Sequence, residues 1–368
     1  MRDEDKIPHA LLFNGPSGIG KMMTARAFAQ YIHCQKPVNG DSCGKCPSCL
    51  QHNKFNNPDL HFIFPVVKKD GVVVSKDLID QWKIFLDKHS FMPVEKWSEL
   101  INAGNSQTNI YVNECENILS VAALSTYQEK KKIFILWLPE KLRQEAANKL
   151  LKVIEEPFED TVFILVSNDA SRILPTILSR TRRVNFSPLQ ENEIAIMLQS
   201  KGVSHKLSSD FAKISAGSLA KAEQYAFHPD EINEFSELFK NIMRAAYALK
   251  AKQLKSLSDE VASFGREKII RFLNYCNRLI RENFIYNMNV DALVAETEDE
   301  RQFSSRFAPF IHEGNVEKLE AEIARAATDI ERNANSKIVL FDLFLILSRL
   351  VRKPKESFLP FIMEPDLI

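Results

Sequence analysis

Two groups of residues in this chain are of types and spacings that do chemistry. In the stretch FNGPSGIGKMM, Gly15, Gly20 and Lys21 stand at the G-x-x-x-x-G-K spacing of a phosphate-binding loop, with Gly18 between them. Glycines let backbone N–H groups turn inward at a helix N-terminus, which favours anions. A bare Gly/Pro turn is the alternative. Against it, the loop lies between an apolar strand-like ALLF (residues 10–13) and a helix-like KMMTARAFAQYIH. The second group is Cys34, Cys43, Cys46 and Cys49, spaced C-x8-C-x2-C-x2-C. Tight C-x2-C pairs converge on one tetrahedral ion, and four thiolates make a closed structural zinc site with no open position for catalysis. Two disulfides suit an oxidising compartment, and an iron–sulfur cluster suits redox work of which nothing else here speaks, so zinc is the expected metal.

The loop lacks partners for hydrolysis. Magnesium needs a hydroxyl directly after the loop lysine and an acidic residue at the end of a neighbouring strand. Met22 stands at the first place, and Trp137 and Leu138, in KIFILWLPEKL, at the second. Thr24 lies about 200° further round the helix, and Glu140, past Pro139, is not expected to reach. Magnesium is therefore not expected, and whether ATP or ADP is held stays open.

The elements that must position these groups alternate. ALLF, KIFILWL (132–138), TVFILVS (161–167) and RRVNFSPL (182–189) are strand-like, and EKLRQEAANKLLKVIEE is helical. Continuous apolar strands separated by helices predict an α/β parallel sheet covered on both faces. From Pro188 the pattern is helical: a small module over 189–228, then helices from 229 to 368. Residues 68–109 carry no functional signal of their own. The 368 residues suit two or three domains. Lys plus Arg and Asp plus Glu both number 48, which argues against a free-standing nucleic-acid binder. The most apolar run, IVLFDLFLIL, is too short for a bilayer, and the charged N-terminus lacks a signal peptide's apolar core, so no membrane role and a cytoplasmic location are expected. Cys115 and Cys276 are expected to be buried apolar side chains.

With these residues in view, the chain resembles the delta-prime subunits of the bacterial DNA polymerase III clamp loader, relatives of its gamma/tau ATPases. The resemblance rests on HALLFNGPSGIGK, the four-cysteine module, NPDLHFIFP, NKLLKVIEEP, TVFILVSND and RILPTILSRTRRVNF, most of residues 8–188. It implies an AAA+ α/β domain over 1–188 with a zinc module at 34–49, a helical lid over 189–228 and a helical collar over 229–368. It implies a non-hydrolysing stator that works with gamma/tau and delta subunits to place the sliding clamp on primed DNA. By the same resemblance Arg180, in LSRTRR, is an arginine finger acting in trans on a neighbour's ATP, where Thr181 replaces the motif's cysteine. Its alternative is pairing with a surface carboxylate, the role expected of Arg182 and Arg183. Asn168 matches the polar sensor, so Gly15, Gly18, Gly20, Lys21, Met22 and Asn168 form a degenerate nucleotide site. Ala220 stands where ATPase relatives carry a phosphate-sensing arginine, and fewer residues precede Pro8 than in relatives, so the start is shortened or has diverged. The rivals are an active gamma/tau-like ATPase, which Trp137 argues against, and a zinc-dependent nucleic-acid module, which the balanced charge disfavours. Which subunits flank the chain, and in what number, is not legible.

Overall fold

The computed structural model describes residues 7–354 except Asp70, Val72, Ser90, Asn105 and 289–293. The ends of the expected α/β and collar domains, 1–6 and 355–368, lie outside the described residues. The chain divides into two compact units, Met1–Val203 with Ser215–Glu223, and Ser204–Ile214 with Gln224–Ile368.

The first unit is built on five parallel strands: β1 (Ala10–Asn14), β2 (Leu60–Ile63), β3 (Lys132–Trp137), β4 (Thr161–Ser167) and β5 (Arg182–Asn185), in the order β2-β3-β4-β1-β5. β2 lies inside NPDLHFIFP. Its four residues, LHFI, give too short a pattern to declare themselves. Every residue of β3 and β4 is buried, as strands covered on both faces require. Side chains alternate between two cores. Leu11, Phe13, Ile133, Ile135, Ile164 and Val166 face one side, and Ala10, Leu12, Phe134, Leu136, Phe163 and Leu165 the other.

The second face is covered by α5 (Val112–Ala122), α6 (Gln144–Glu155) and the short α7 (Pro175–Leu178), through Cys115, Ile118, Leu150, Ile154 and Ile177. The first face is covered by α1 (Lys21–His33), through Met22, Ala25 and Ala29, and by two helices of the stretch that was silent in the sequence, α3 (Ile79–Lys88) and α4 (Val94–Leu100). That stretch is a closed excursion. Val66 and Asn109 bridge each other through paired backbone hydrogen bonds of 2.9 Å, so the chain leaves and returns at one point. Ser75 Oγ donates to the Phe64 carbonyl (3.0 Å), the Ser75 N–H donates to the buried Glu114 carboxylate (2.5 Å), and Trp97 Nε1 donates to the Pro65 carbonyl (2.8 Å). Between these pins the excursion buries Trp82, Phe85 and Trp97 completely. Trp82 stacks on Phe64 at 4.2 Å and lies 5.2 Å from Trp137.

The second unit is helical, with α11 (Pro229–Tyr247), α12 (Ala251–Ala262), α13 (Arg266–Asn287), α14 (Glu298–Phe307), α15 (Val316–Glu331) and α16 (Ser336–Leu350) around a core that includes Phe239, Phe272, Leu319 and Leu340. Among its described residues, the partly buried Arg278 pairs with the buried Glu300, to which the Tyr275 hydroxyl donates at 2.9 Å. Cys276 is buried in this core and Cys115 in the first unit, as expected of isolated cysteines. No described helix is long and apolar enough to cross a membrane.

Candidate functional site

The glycine loop joins β1 to α1 where the strand order makes β1 a neighbour of β4, so the loop meets the residues that follow β4. Three glycines are required, Gly15 and Gly18 by what surrounds them and Gly20 by its backbone conformation. A Cβ on Gly15 would come within 2.4 Å of the Phe186 carbonyl oxygen; one on Gly18 within 2.6 Å of the Ala220 Cβ. Gly20 has a φ of +92°, where side chains are disfavoured.

Lys21 is buried. Its ammonium donates to the carbonyls of Gly15 (2.7 Å) and Pro16 and to Asn168 Oδ1 (2.9 Å), so all three of its protons are directed at the protein. Burial lowers its pKa to about 8, with the Glu140 carboxylate acting in the opposite sense. Glu140 comes closer than its place beyond Pro139 suggests. Leu138 adopts a left-handed conformation (φ 58°) and a 3₁₀ turn over Pro139–Lys141 carries the chain back across the end of β4. There Glu140 accepts from Ser167 Oγ (3.0 Å) and from the Asn168 N–H (2.9 Å), and burial raises its pKa. Sequence spacing could not reveal this, because it depends on one left-handed residue.

Met22 points into the core, 3% exposed, and Trp137 is 2% exposed beneath it. Leu138 is buried as well, and Thr24 turns its hydroxyl back to the Gly20 carbonyl (3.2 Å). The places of a magnesium hydroxyl and of strand-end carboxylates are thus filled by packed apolar groups. Ser17, Gly18, Gly20, Lys21, Met22, Trp137 and Asn168 line a recess together with Phe91 and Met92 of the excursion, of about 250 Å³ with its open mouth included. Gly15 is not among its walls. Ser218 Oγ, near Ala220, donates to the Ser17 carbonyl at 2.8 Å and closes the loop's other side.

The four cysteine sulfurs lie within 4.8 Å of one another, with Cys43 and Cys49 at 4.0 Å, and none is disulfide-bonded. Tetrahedral Zn–S bonds of about 2.3 Å place sulfurs roughly 3.8 Å apart, so the cluster has room for one such ion. Backbone N–H groups already point at sulfur, Cys43 to Cys34 at 3.2 Å and Cys46 to Cys43 at 3.3 Å. The N–H groups of Lys45 and Cys46 lower the Cys43 thiol to about 6, whereas burial pushes Cys49 up to about 12. Four thiolates at this spot need a cation between them, and these residues can hold one.

Arg180 follows α7 and is half-exposed. It pairs with Glu155, the last residue of α6, at 2.6 Å, and donates to the Thr176 carbonyl at 3.1 Å. Arg182 and Arg183 stand exposed on the edge strand β5. Among the described residues, the carboxylate partner expected for Arg182 and Arg183 is found at Arg180 instead.

Comparison with known proteins places this arrangement. A family model described as DNA polymerase III, delta subunit, matches residues 1–190. The chain belongs to that family. Among relatives, DNA polymerase III subunit delta' of Bacillus subtilis is 25% identical over 72% of this chain and 68% of its own length. Subunit delta' of Pseudomonas aeruginosa is 28% identical over 47% of this chain and 41% of its own. Subunit gamma/tau of Mycobacterium bovis is 26% identical over 53% of this chain and 27% of its own. The alignments thus span less than half the length of the second and third of these. This chain carries the loop glycines and lysine with packed apolar side chains, Met22, Trp137 and Leu138, beside them.

Proposed function

We propose that this protein is a non-hydrolysing, structural delta-prime subunit of a DNA polymerase III clamp loader in the cytoplasm, working with gamma/tau and delta subunits to place the sliding clamp on primed DNA. One observation carries the reading: Met22, Trp137 and Leu138 are packed core residues, so no side chain presents oxygen to a magnesium ion from either place where hydrolysis needs one. Glu140 does not rescue the site, since both its oxygens accept hydrogen bonds at the end of β4. Within this reading residues 189–228 form the lid and 229–368 the collar. The cysteine cluster holds zinc, whose chemistry there is structural: it ties the hairpin before α2 (Pro47–Asn53) to the end of α1.

Arg180 is the chain's contribution to catalysis, given in trans to the γ-phosphate on a neighbouring subunit, with Glu155 orienting it until that neighbour is engaged. The test is phosphate release from ATP by the purified chain, and by the reconstituted loader with wild-type chain or R180A. The expected results are no turnover by the chain and a loss of about 10³-fold at the site that Arg180 serves. Robust turnover by the isolated chain would mean an active gamma/tau-like ATPase instead.

A further inference from the structure

We infer that α3 and α4 carry a built-in plug: Phe91 and Met92, between them, occupy the mouth of the phosphate loop and close it to purine nucleotides. The inference deepens the reading above and rests on it, since it names what fills the site of a subunit that does not hydrolyse ATP. Four observations converge. The excursion is a separate module, bridged at its base and pinned by Ser75 and Trp97 rather than draped over the surface. The tip of the module lies on the loop: the Phe91 ring is 3.7 Å from where a Cβ on Gly20 would stand, and Phe91 and Met92 both line the recess. The space left in the recess for a water-sized sphere is only about 10 Å³, room for about one water and not for a nucleotide. Finally, Lys21 directs its ammonium to three acceptors of its own chain, the office a β- or γ-phosphate would fill.

On this view Met22 and Trp137 are more than lost metal ligands. They form one apolar cluster with Met92, Trp82, Phe85 and Trp97, so the substitutions that end metal binding also make the seat for the plug. Met92 holds a φ of 56°, a conformation costly for a side chain, and its burial at 5% exposure is what offsets the strain.

The test uses the full chain with N-methylanthraniloyl-ADP and -ATP in magnesium buffer, comparing wild type with F91A/M92G. Phe91 is only half-buried and glycine accepts the φ of Met92, so the double variant is expected to fold, as judged by circular dichroism. The expected result is no saturable binding by wild type up to about 1 mM and a dissociation constant at least about tenfold below that limit for the variant, still without phosphate release. Binding by wild type below 1 mM, without turnover, would overturn the plug and leave the structural-subunit reading standing. Turnover would overturn that reading as well. A folded variant that still binds nothing would also overturn the plug, because something else then closes the loop. Should the double variant not fold, F91A alone is judged by the same two outcomes.

Discussion

Replacing Trp137 by alanine measures how firmly the end of β3 is packed as core. The side chain is 2% exposed and has ring neighbours Trp82 at 5.2 Å and Phe85 at 5.8 Å. Truncating a buried Phe or Trp costs about 3–5 kcal/mol. The two aromatic contacts, each worth about 0.5–1.5 kcal/mol beyond area burial, place this site in the upper part of that range. With a urea dependence of about 2–3 kcal/mol per molar, the unfolding midpoint of the α/β unit should fall by roughly 1–2 M. Trp82 and Trp97 remain in the variant as fluorescent reporters of that unit, since the chain's three tryptophans all stand in this cluster. A parallel I338A variant, changing a side chain that is 69% exposed in the helical unit, should move its transition by no more than about 0.5 kcal/mol. W137D should lose at least as much stability as W137A and gain no ATPase, because a carboxylate there is buried without a partner. If W137A shifted the midpoint no more than I338A does, the packing argument for an inactive site would fail.

Other expectations follow from single contacts. Metal analysis should find one zinc per chain, abolished in C46S, with chelation at neutral pH lowering thermal stability. Asp59 is buried and accepts from the N–H groups of Tyr127, Gln128 and Glu129 at 2.7–2.9 Å. Burial alone would raise its pKa, but these donors together outweigh it and hold the carboxyl below its ordinary value. A group lowered in the folded state stabilises above its unfolded pKa of about 4 and loses that stabilisation as pH falls through the folded value. The stability gap between wild type and D59N should therefore be full at pH 6 and shrink below pH 4; a gap independent of pH would count against the assignment. E300Q leaves Arg278 charged in the core and should cost about 3–5 kcal/mol by denaturant titration, against near neutrality for a joint apolar replacement of both partners.

The sequence showed most clearly what is short in range. Gly15 to Lys21 and the four cysteines each occupy one short stretch of chain, so their spacing is close to their geometry. β3 and β4 declared themselves because both faces are buried and every residue is apolar or shielded. The plug stayed hidden for the opposite reason. Trp82, Phe85 and Trp97 mark amphipathic helices, but which surface such helices cover is decided by tertiary packing, and nothing local says that the surface is the phosphate loop. The place of Glu140 at the end of β4 is not legible in the sequence, because a chain that turns through a left-handed leucine does not advance as a strand does. The Arg180–Glu155 pair joins residues that no periodicity links.

The strand order also sets a timetable for synthesis. β1 lies between β4 and β5, and Leu12 pairs with Leu165 and with Arg183. This inner strand of the sheet is therefore made well before its partners, since both its neighbours are about 150 residues or more downstream. At about 5–20 residues per second, ALLFN waits roughly 8–30 s before either flank exists. The cysteine hairpin, by contrast, has all its ligands once residue 49 has been made and can close around a metal while β1 is still unpaired. A cysteine knob complete early and a sheet that closes only late are the order of assembly this topology imposes.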